Sequence, residues 1–306
     1  MIRRALVVGA TGFVGRHIVK ALRESEFEVD ALRRWDSDPA AVANLQVNTV
    51  VGDLVDRERL VEILPGYNCV FMAAAPRLDR PGPEYLRDSV QGIRNLLAVS
   101  RAVDVERVVV TSCATTVARS SVEAMSSAEE VYLPGSGIGA ELAESPFRPA
   151  LLASLENQVE AQYAVELECF RQAADGMDLI LLCPGICVGE GAVLPTRELL
   201  AGLPDEARIN VVDVDAVAQA HLAAATEPTR QPFGGDRRCL GGENTTVGEL
   251  YKRLKPKGEG ERTLGRYQVR LSDDVHRLRA LALFGANTWL DSTRAQQEFG
   301  FRPRPL

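Results

Sequence analysis

Three glycines set the first chemical possibility. Gly9, Gly12 and Gly15 follow the apolar run Ala5-Leu6-Val7-Val8 and precede a helical pattern that reaches about Ser25. Between a strand and a helix, each glycine has its own task. Gly9 permits a tight turn, Gly12 lets backbone approach a pyrophosphate, and Gly15 lets the helix pack against the strand. Thr11, Phe13 and Val14 complete the loop. The helix start offers unbonded N–H groups and a positive dipole end to phosphate. A second signal is Arg33-Arg34, directly after the apolar run Val29–Leu32. In a dinucleotide site, an acid at that place accepts from a ribose 2′-hydroxyl, whereas arginine meets a 2′-phosphate. Asp30 lies three residues too early for the first role. These residues predict a dinucleotide ligand, with NADP(H) favoured over NAD(H).

Other chemistries find little support. The six cysteines (Cys69, Cys113, Cys169, Cys183, Cys187 and Cys239) include no CxxC pair, and the three histidines have no metal-ligand spacing. No metal site is expected. The net charge of −7 argues against nucleic acid and anionic membranes as partners. No apolar run is long enough to span a bilayer. The first strand starts by Ala5, so no signal peptide is expected and the reading is cytoplasmic. Lysine occurs only at Lys20, Lys252, Lys255 and Lys257.

The elements that must position these residues alternate strand and helix. Further strands are expected at Val47–Val51, Cys69–Ala75, Arg107–Ser112 and Leu179–Cys183. Helices are expected at 56–64, 84–103 and about 150–174. This alternation implies a Rossmann-type doubly wound parallel sheet, helices on both faces. After Pro184 the pattern turns irregular. A strand at Asn210–Val214, a helix at Asp215–Thr226, a strand at Arg237–Leu240 and a helix at about 246–254 are expected. Residues 255–262 read as an exposed loop, and Ser272 as the cap of a helix reaching about Phe284. The reading is a dinucleotide-binding domain over 1–184 and a smaller α/β substrate lobe over 185–306, interleaved with it.

Several blocks together resemble one family. They are Val7–Gly15, Gly52-Asp53-Leu54, Ala73-Ala74-Ala75, Gly92–Asn95, Val105–Ser112, Pro184, Asn210–Asp215, Gly241–Asn244 and Leu290–Ala295 with Gly300-Phe301. The chain resembles an extended short-chain dehydrogenase/reductase of the NAD-dependent epimerase/dehydratase type, in particular its dihydroflavonol-reductase-like members and hopanoid-associated sugar epimerases. The resemblance implies adenine contacts from Asp53 and Leu54. It implies that Ala73, Ala74, Ala75 and Thr111 line the dinucleotide and that Pro184 sits by the nicotinamide. It also implies a small-molecule substrate held by the second lobe, and a homodimer.

The family's Ser/Thr–Tyr–Lys triad is the point of departure. Tyrosine and lysine at i and i+4 share a helix face, so lysine can stabilise tyrosinate and the tyrosine can move a proton. No tyrosine here has lysine four residues on. By alignment with the family, the tyrosine position falls on Gln158 and the lysine position on Gln162. The serine position falls on Cys113, or on Ser112 with a one-residue shift. Ser89 stands where the family often has asparagine. Two amides can hold a polar substrate but cannot serve as general acid. Cys113 reads as a buried inert thiol, or as a nucleophile or acid if its pKa is lowered. Tyr163 lies about 100° round the helix from Gln162. Three functions remain open: an atypical NADP(H)-dependent enzyme on a small organic molecule, a non-redox isomerase, lyase or cyclase in the same pocket, and a non-catalytic dinucleotide-binding or scaffold protein.

Overall fold

A computed structural model describes residues 3–74, 82–116, 149–201, 203–227, 237–275, 280, 283–284 and 289–306, with backbone alone for 82–85 and 149–159. Strand β1 (Arg3–Val8) runs through the middle of a parallel sheet, which is why its sequence is apolar on both faces. Its neighbours are β2 (Phe27–Arg33) and β4 (Cys69–Met72). Outside these lie β3 (Asn48–Val51), β5 (Arg107–Thr111), β6 (Leu179–Pro184) and β10 (Arg237–Leu240). The order is β10-β6-β5-β4-β1-β2-β3, with every pairing parallel. Helices α1 (Phe13–Arg23), α2 (Ala40–Ala43) and α3 (Arg57–Ile63) follow the first three strands. Two long helices, α4 (Gly82–Ala102) and α5 (Pro149–Ala174), pack together over one face.

The second half does not stand apart. Its helix α6 (Val214–Thr226) packs on α1 across the other face, and β10 extends the main sheet beside β6. Two small sheets complete it. In the first, β9 (Arg208–Asp213) lies between β7 (Ile186–Val188) and β11 (Glu243–Thr246). In the second, the order is β12 (Lys255–Pro256), β13 (Glu261–Leu264), β14 (Tyr267–Ser272) and β8 (Ala192–Pro195). Helices α7 (Val247–Arg253) and α8 (Thr293–Phe299) flank them.

The expectation of an exposed loop at 255–262 is corrected: β12 and β13 form a hairpin there, joined through charged, exposed residues. Ser272 ends a strand. The alternation Tyr267–Ser272, buried then exposed, was the missed period-2 signal. Residues 276–279 of the expected helix lie outside the described residues. Asp56, Asp213 and Thr246 cap α3, α6 and α7 with side-chain oxygens, but Gly12 gives α1 no side-chain cap. The α1 N–H groups stay available.

The glycine loop is sterically fixed. Gly9 has φ +80°, and a Cβ there would lie 2.6 Å from Ala74 N. A Cβ on Gly15 would lie 2.1 Å from the Gly9 carbonyl oxygen. Gly15→Ala must therefore push α1 off β1. We expect a loss of about 1–3 kcal/mol in urea unfolding together with lost dinucleotide binding. A variant of unchanged stability would show that α1 does not sit this close.

Candidate functional site

The carboxyl ends of β1, β2, β4, β5 and β6 open into a cavity of about 750 Å³. This is where an open parallel sheet places a ligand. Many of the residues singled out from the sequence line it. Gly9, Thr11, Gly12, Phe13 and Val14 line it from the first loop, and Arg33 and Arg34 from the end of β2. Asp53, Leu54, Ala73, Ala74, Thr111, Cys113, Gln162 and Pro184 also line it. Gly15 does not, since it is buried against Gly9. Ala75 lies outside the described residues. Gln158 falls in α5, but its side chain is likewise outside them.

At one end the wall is cationic. Arg33 Nη1 donates to the Arg34 carbonyl (3.0 Å), while Arg33 Nε is buried with no hydrogen-bond partner. Arg34 pairs with Asp36 (3.0 Å). Asp30 is spent within the strand layer: Tyr67 donates its hydroxyl proton to it and Arg4 Nη2 lies 3.0 Å away. No acid therefore replaces the arginines at the end of β2. Asp53 Oδ1 accepts from Val55 N (3.2 Å), which fixes the turn that carries Leu54. A bare helix start, a glycine cradle and a buried guanidinium N–H without a partner fit the phosphates of a dinucleotide.

In the middle of the cavity, Ser112 and Gln162 belong to a polar network. Ser112 donates its hydroxyl proton to Glu166 Oε1, and Gln162 Nε2 donates to Ser112 Oγ (3.2 Å). Thr116 Oγ1 donates to the same Glu166 oxygen (2.6 Å). The other oxygen lies 2.8 Å from Arg237 Nη2, on β10. Glu166 is fully buried. Burial pushes its pKa up, and Arg237, Ser112 and Thr116 offset only part of the rise. Sequence reasoning missed this acid, although its place four residues after Gln162, on the same helix face, was a signal.

Cys113 is half-buried, with Sγ 3.0 Å from Thr115 Oγ1. Burial pushes the thiols of Cys169 and Cys183 well up, so neither is a nucleophile at neutral pH. Tyr163 does not reach the cavity. It packs in the second lobe's core, with Arg237 5.9 Å from its ring centroid. The Thr111 hydroxyl meets His221 Nε2 (2.7 Å), and His221 Nδ1 meets the Val217 carbonyl (2.8 Å). The carbonyl can only accept, so Nδ1 carries the proton and Thr111 donates to Nε2.

At the far end the second lobe closes the cavity with Val193, Leu194, Pro195, Val275, Leu283 and Phe284. Gly185, Ile186, Cys187 and Gly191 join the two regions. Among the described residues, no histidine, cysteine and carboxylate grouping could hold a metal ion, and no helix is long and apolar enough to cross a membrane.

Known proteins carry the same pattern. A family model described as NAD(P)H-binding matches residues 9–137. A Synechocystis protein described as a putative dihydroflavonol 4-reductase is 30% identical over 259 residues, covering 81% of this chain and 70% of that protein. The chain belongs to the extended short-chain dehydrogenase/reductase family. Another relative, sterol demethylase protein B of Methylococcus capsulatus, is 29% identical over 262 residues, 82% of this chain and 73% of that one. The fold matches a UDP-glucose 4-epimerase of Thermotoga maritima with UDP-glucose (TM-score 0.70, 18% identity, 99% of this chain and 94% of that one). It also matches a UDP-glucuronic acid 4-epimerase of Bacillus cereus with NAD (TM-score 0.68, 13% identity, 99% and 92%). This member of the family is an NAD(P)-binding Rossmann protein.

Two outcomes check the network. Arg237→Met leaves a buried carboxylate without its cation and is expected to cost about 3–5 kcal/mol, largely recovered in Arg237→Met with Glu166→Met. Urea unfolding of both variants reads this, and an inert Arg237→Met would refute the pairing. Burial lowers the His221 pKa from 6.5 to about 4. The unfolded chain thus binds that proton first on acidification. The resulting stability is whole above pH 6.5 and is lost as pH falls towards 4, by at most about 3 kcal/mol. His221→Gln should flatten that part of the stability–pH curve, and an unaltered slope would contradict the assignment.

Proposed function

We propose that the chain is an NADP(H)-dependent oxidoreductase of a small, largely apolar organic molecule, working without the Tyr-x-x-x-Lys proton donor. The observation that carries this is the continuity of one cavity. It runs from the arginines of β2, over the glycine loop, to Ser112 and Gln162, and on to an apolar wall. Arg33 and Arg34 suit a 2′-phosphate, since a charge-assisted bond there strengthens NADP and gives nothing to NAD. The absence of charged side chains in the apolar wall, among the described residues, favours a hydrophobic substrate over a nucleotide-sugar.

When bound, the nicotinamide supplies or takes up a hydride. The protein's part is the proton. Ser112 Oγ holds one proton, which it shares with Glu166, and Gln162 orients the oxygen from the other side. A substrate hydroxyl in the cavity can give its proton to Ser112 as Ser112 passes its own to Glu166. Reduction runs the same transfer in reverse. Gln162 is then a positioning residue, and Gln158, which shares its helix, is assigned to substrate contact. Cys113 lines the same wall and is assigned to packing against the substrate.

Titration calorimetry should show NADP(H) binding more tightly than NAD(H), and Arg33→Asp should remove that difference. Equal affinities in the wild type would overturn the cofactor preference. A screen of apolar ketones and alcohols with the preferred cofactor tests the rest. Binding without any turnover would favour the dinucleotide-binding-protein reading, and turnover without change in cofactor redox state an isomerase or lyase.

A further inference from the structure

We propose that Arg16 is a second phosphate-reading arginine, one that binds the dinucleotide's pyrophosphate rather than its 2′-phosphate. Arg16 is the fourth residue of α1, and its side chain lines the cavity. Its Nε is buried and has no hydrogen-bond partner. No carboxylate among the described residues pairs with its guanidinium. A guanidinium held inside a cavity wall with a buried N–H unused is costly unless a ligand completes it.

The surroundings specify the ligand's charge. The first turn of α1 holds no acid, and Gly12 caps it with no side chain. The other charged residues of the wall are engaged. Arg34 pairs with Asp36, Asp88 lies 3.7 Å from Arg87, and Asp53 caps its own turn. Arg33 and Arg16 therefore remain as the two open positive charges, one at the end of β2 and one at the start of α1. A phosphorylated dinucleotide carries its anionic groups at two matching places, the 2′-phosphate and the pyrophosphate.

The position is also held from the opposite wall. His17 hydrogen-bonds Asp215 Oδ1 through Nδ1 (2.8 Å) and the Glu190 carbonyl through Nε2 (3.2 Å). That ties the turn between β7 and β8 to α1. Arg16 Nη2 reaches the same turn, 3.8 Å from where a Cβ of Gly191 would stand. Arg16 thus spans from the helix start towards the turn that closes the cavity over it. An anion bound to the α1 N–H groups would meet the guanidinium from its open side, with charge-assisted bonds.

The test uses the whole chain and three ligands: NADP+, NAD+ and ADP-ribose. All carry the pyrophosphate, but only the first carries the 2′-phosphate. Arg16→Met keeps the aliphatic stem and should weaken all three by about tenfold or more, leaving the NADP+/NAD+ ratio unchanged. Arg16→Lys should recover part of the loss. Arg33→Met should instead lower NADP+ alone. Thermal unfolding without ligand confirms that each variant is folded. Unchanged binding in Arg16→Met, or a loss confined to NADP+, would overturn the assignment. The ADP-ribose result stands even if the wild type shows no preference between NADP+ and NAD+, so the two readings fail separately.

Discussion

The buried Glu166–Arg237 pair joins the parts of this molecule that do not meet in sequence. Glu166 comes from the helix over one face of the sheet and Arg237 from an edge strand supplied by the second half. Both side chains are almost wholly buried, so neither charge can be screened by water. Removing either would leave the other uncompensated, which is far more costly than never having buried the pair. The carboxylate also gathers the hydroxyls of Ser112 and Thr116 at the end of β5, and through Ser112 the amide of Gln162. Arg237 further packs against the faces of Tyr163 and Phe170, 5.9 and 5.2 Å from their ring centroids. One ion pair thereby fixes the edge of the sheet, the long helix and the polar floor of the cavity.

The cavity itself is graded in chemistry. At the glycine loop, close backbone packing leaves helix N–H groups exposed and keeps side-chain caps away. At the end of β2 and the start of α1, arginine side chains line the wall. Towards the second lobe the wall is hydrocarbon. Phosphate recognition thus rests on rigid backbone, where little entropy is lost on binding. The apolar end is assembled from separate segments after Pro184, the part of the chain with the least regular elements. The glycine loop and the apolar wall can differ in character because they draw on different halves of the chain.

The residues aligned with the family's triad read differently in three dimensions. In one dimension, Gln158 and Gln162 are losses: amides where titratable groups are expected. In the folded chain, Gln162 is bonded to Ser112, and a buried carboxylate stands one helical turn further on. That carboxylate lies beneath the surface of the cavity and connects to it through the Ser112 hydroxyl. Burial raises its pKa and gives it a proton affinity that an exposed glutamate lacks.

Much of this was legible in the residues alone. Unbroken apolar runs mark strands covered on both faces, and the glycine spacing marks the phosphate loop, because both leave a short, local pattern in the sequence. The arginines after β2 and the absence of a Tyr-x-x-x-Lys pair are equally plain. The hairpin at 255–264 was not legible, since its exposed polar residues carry no apolar period. Nor was the union of Glu166 with Arg237, 71 positions apart in the chain, or the lack of a carboxylate partner for Arg16, which is a statement about what fails to approach it. Local sterics and periodicity can be read along a chain, and they determined the sheet, its order of strands and helices, and the cofactor loop. Which charges pair, which stay open and what closes the cavity depend on contacts between distant segments, and only the tertiary structure decided them.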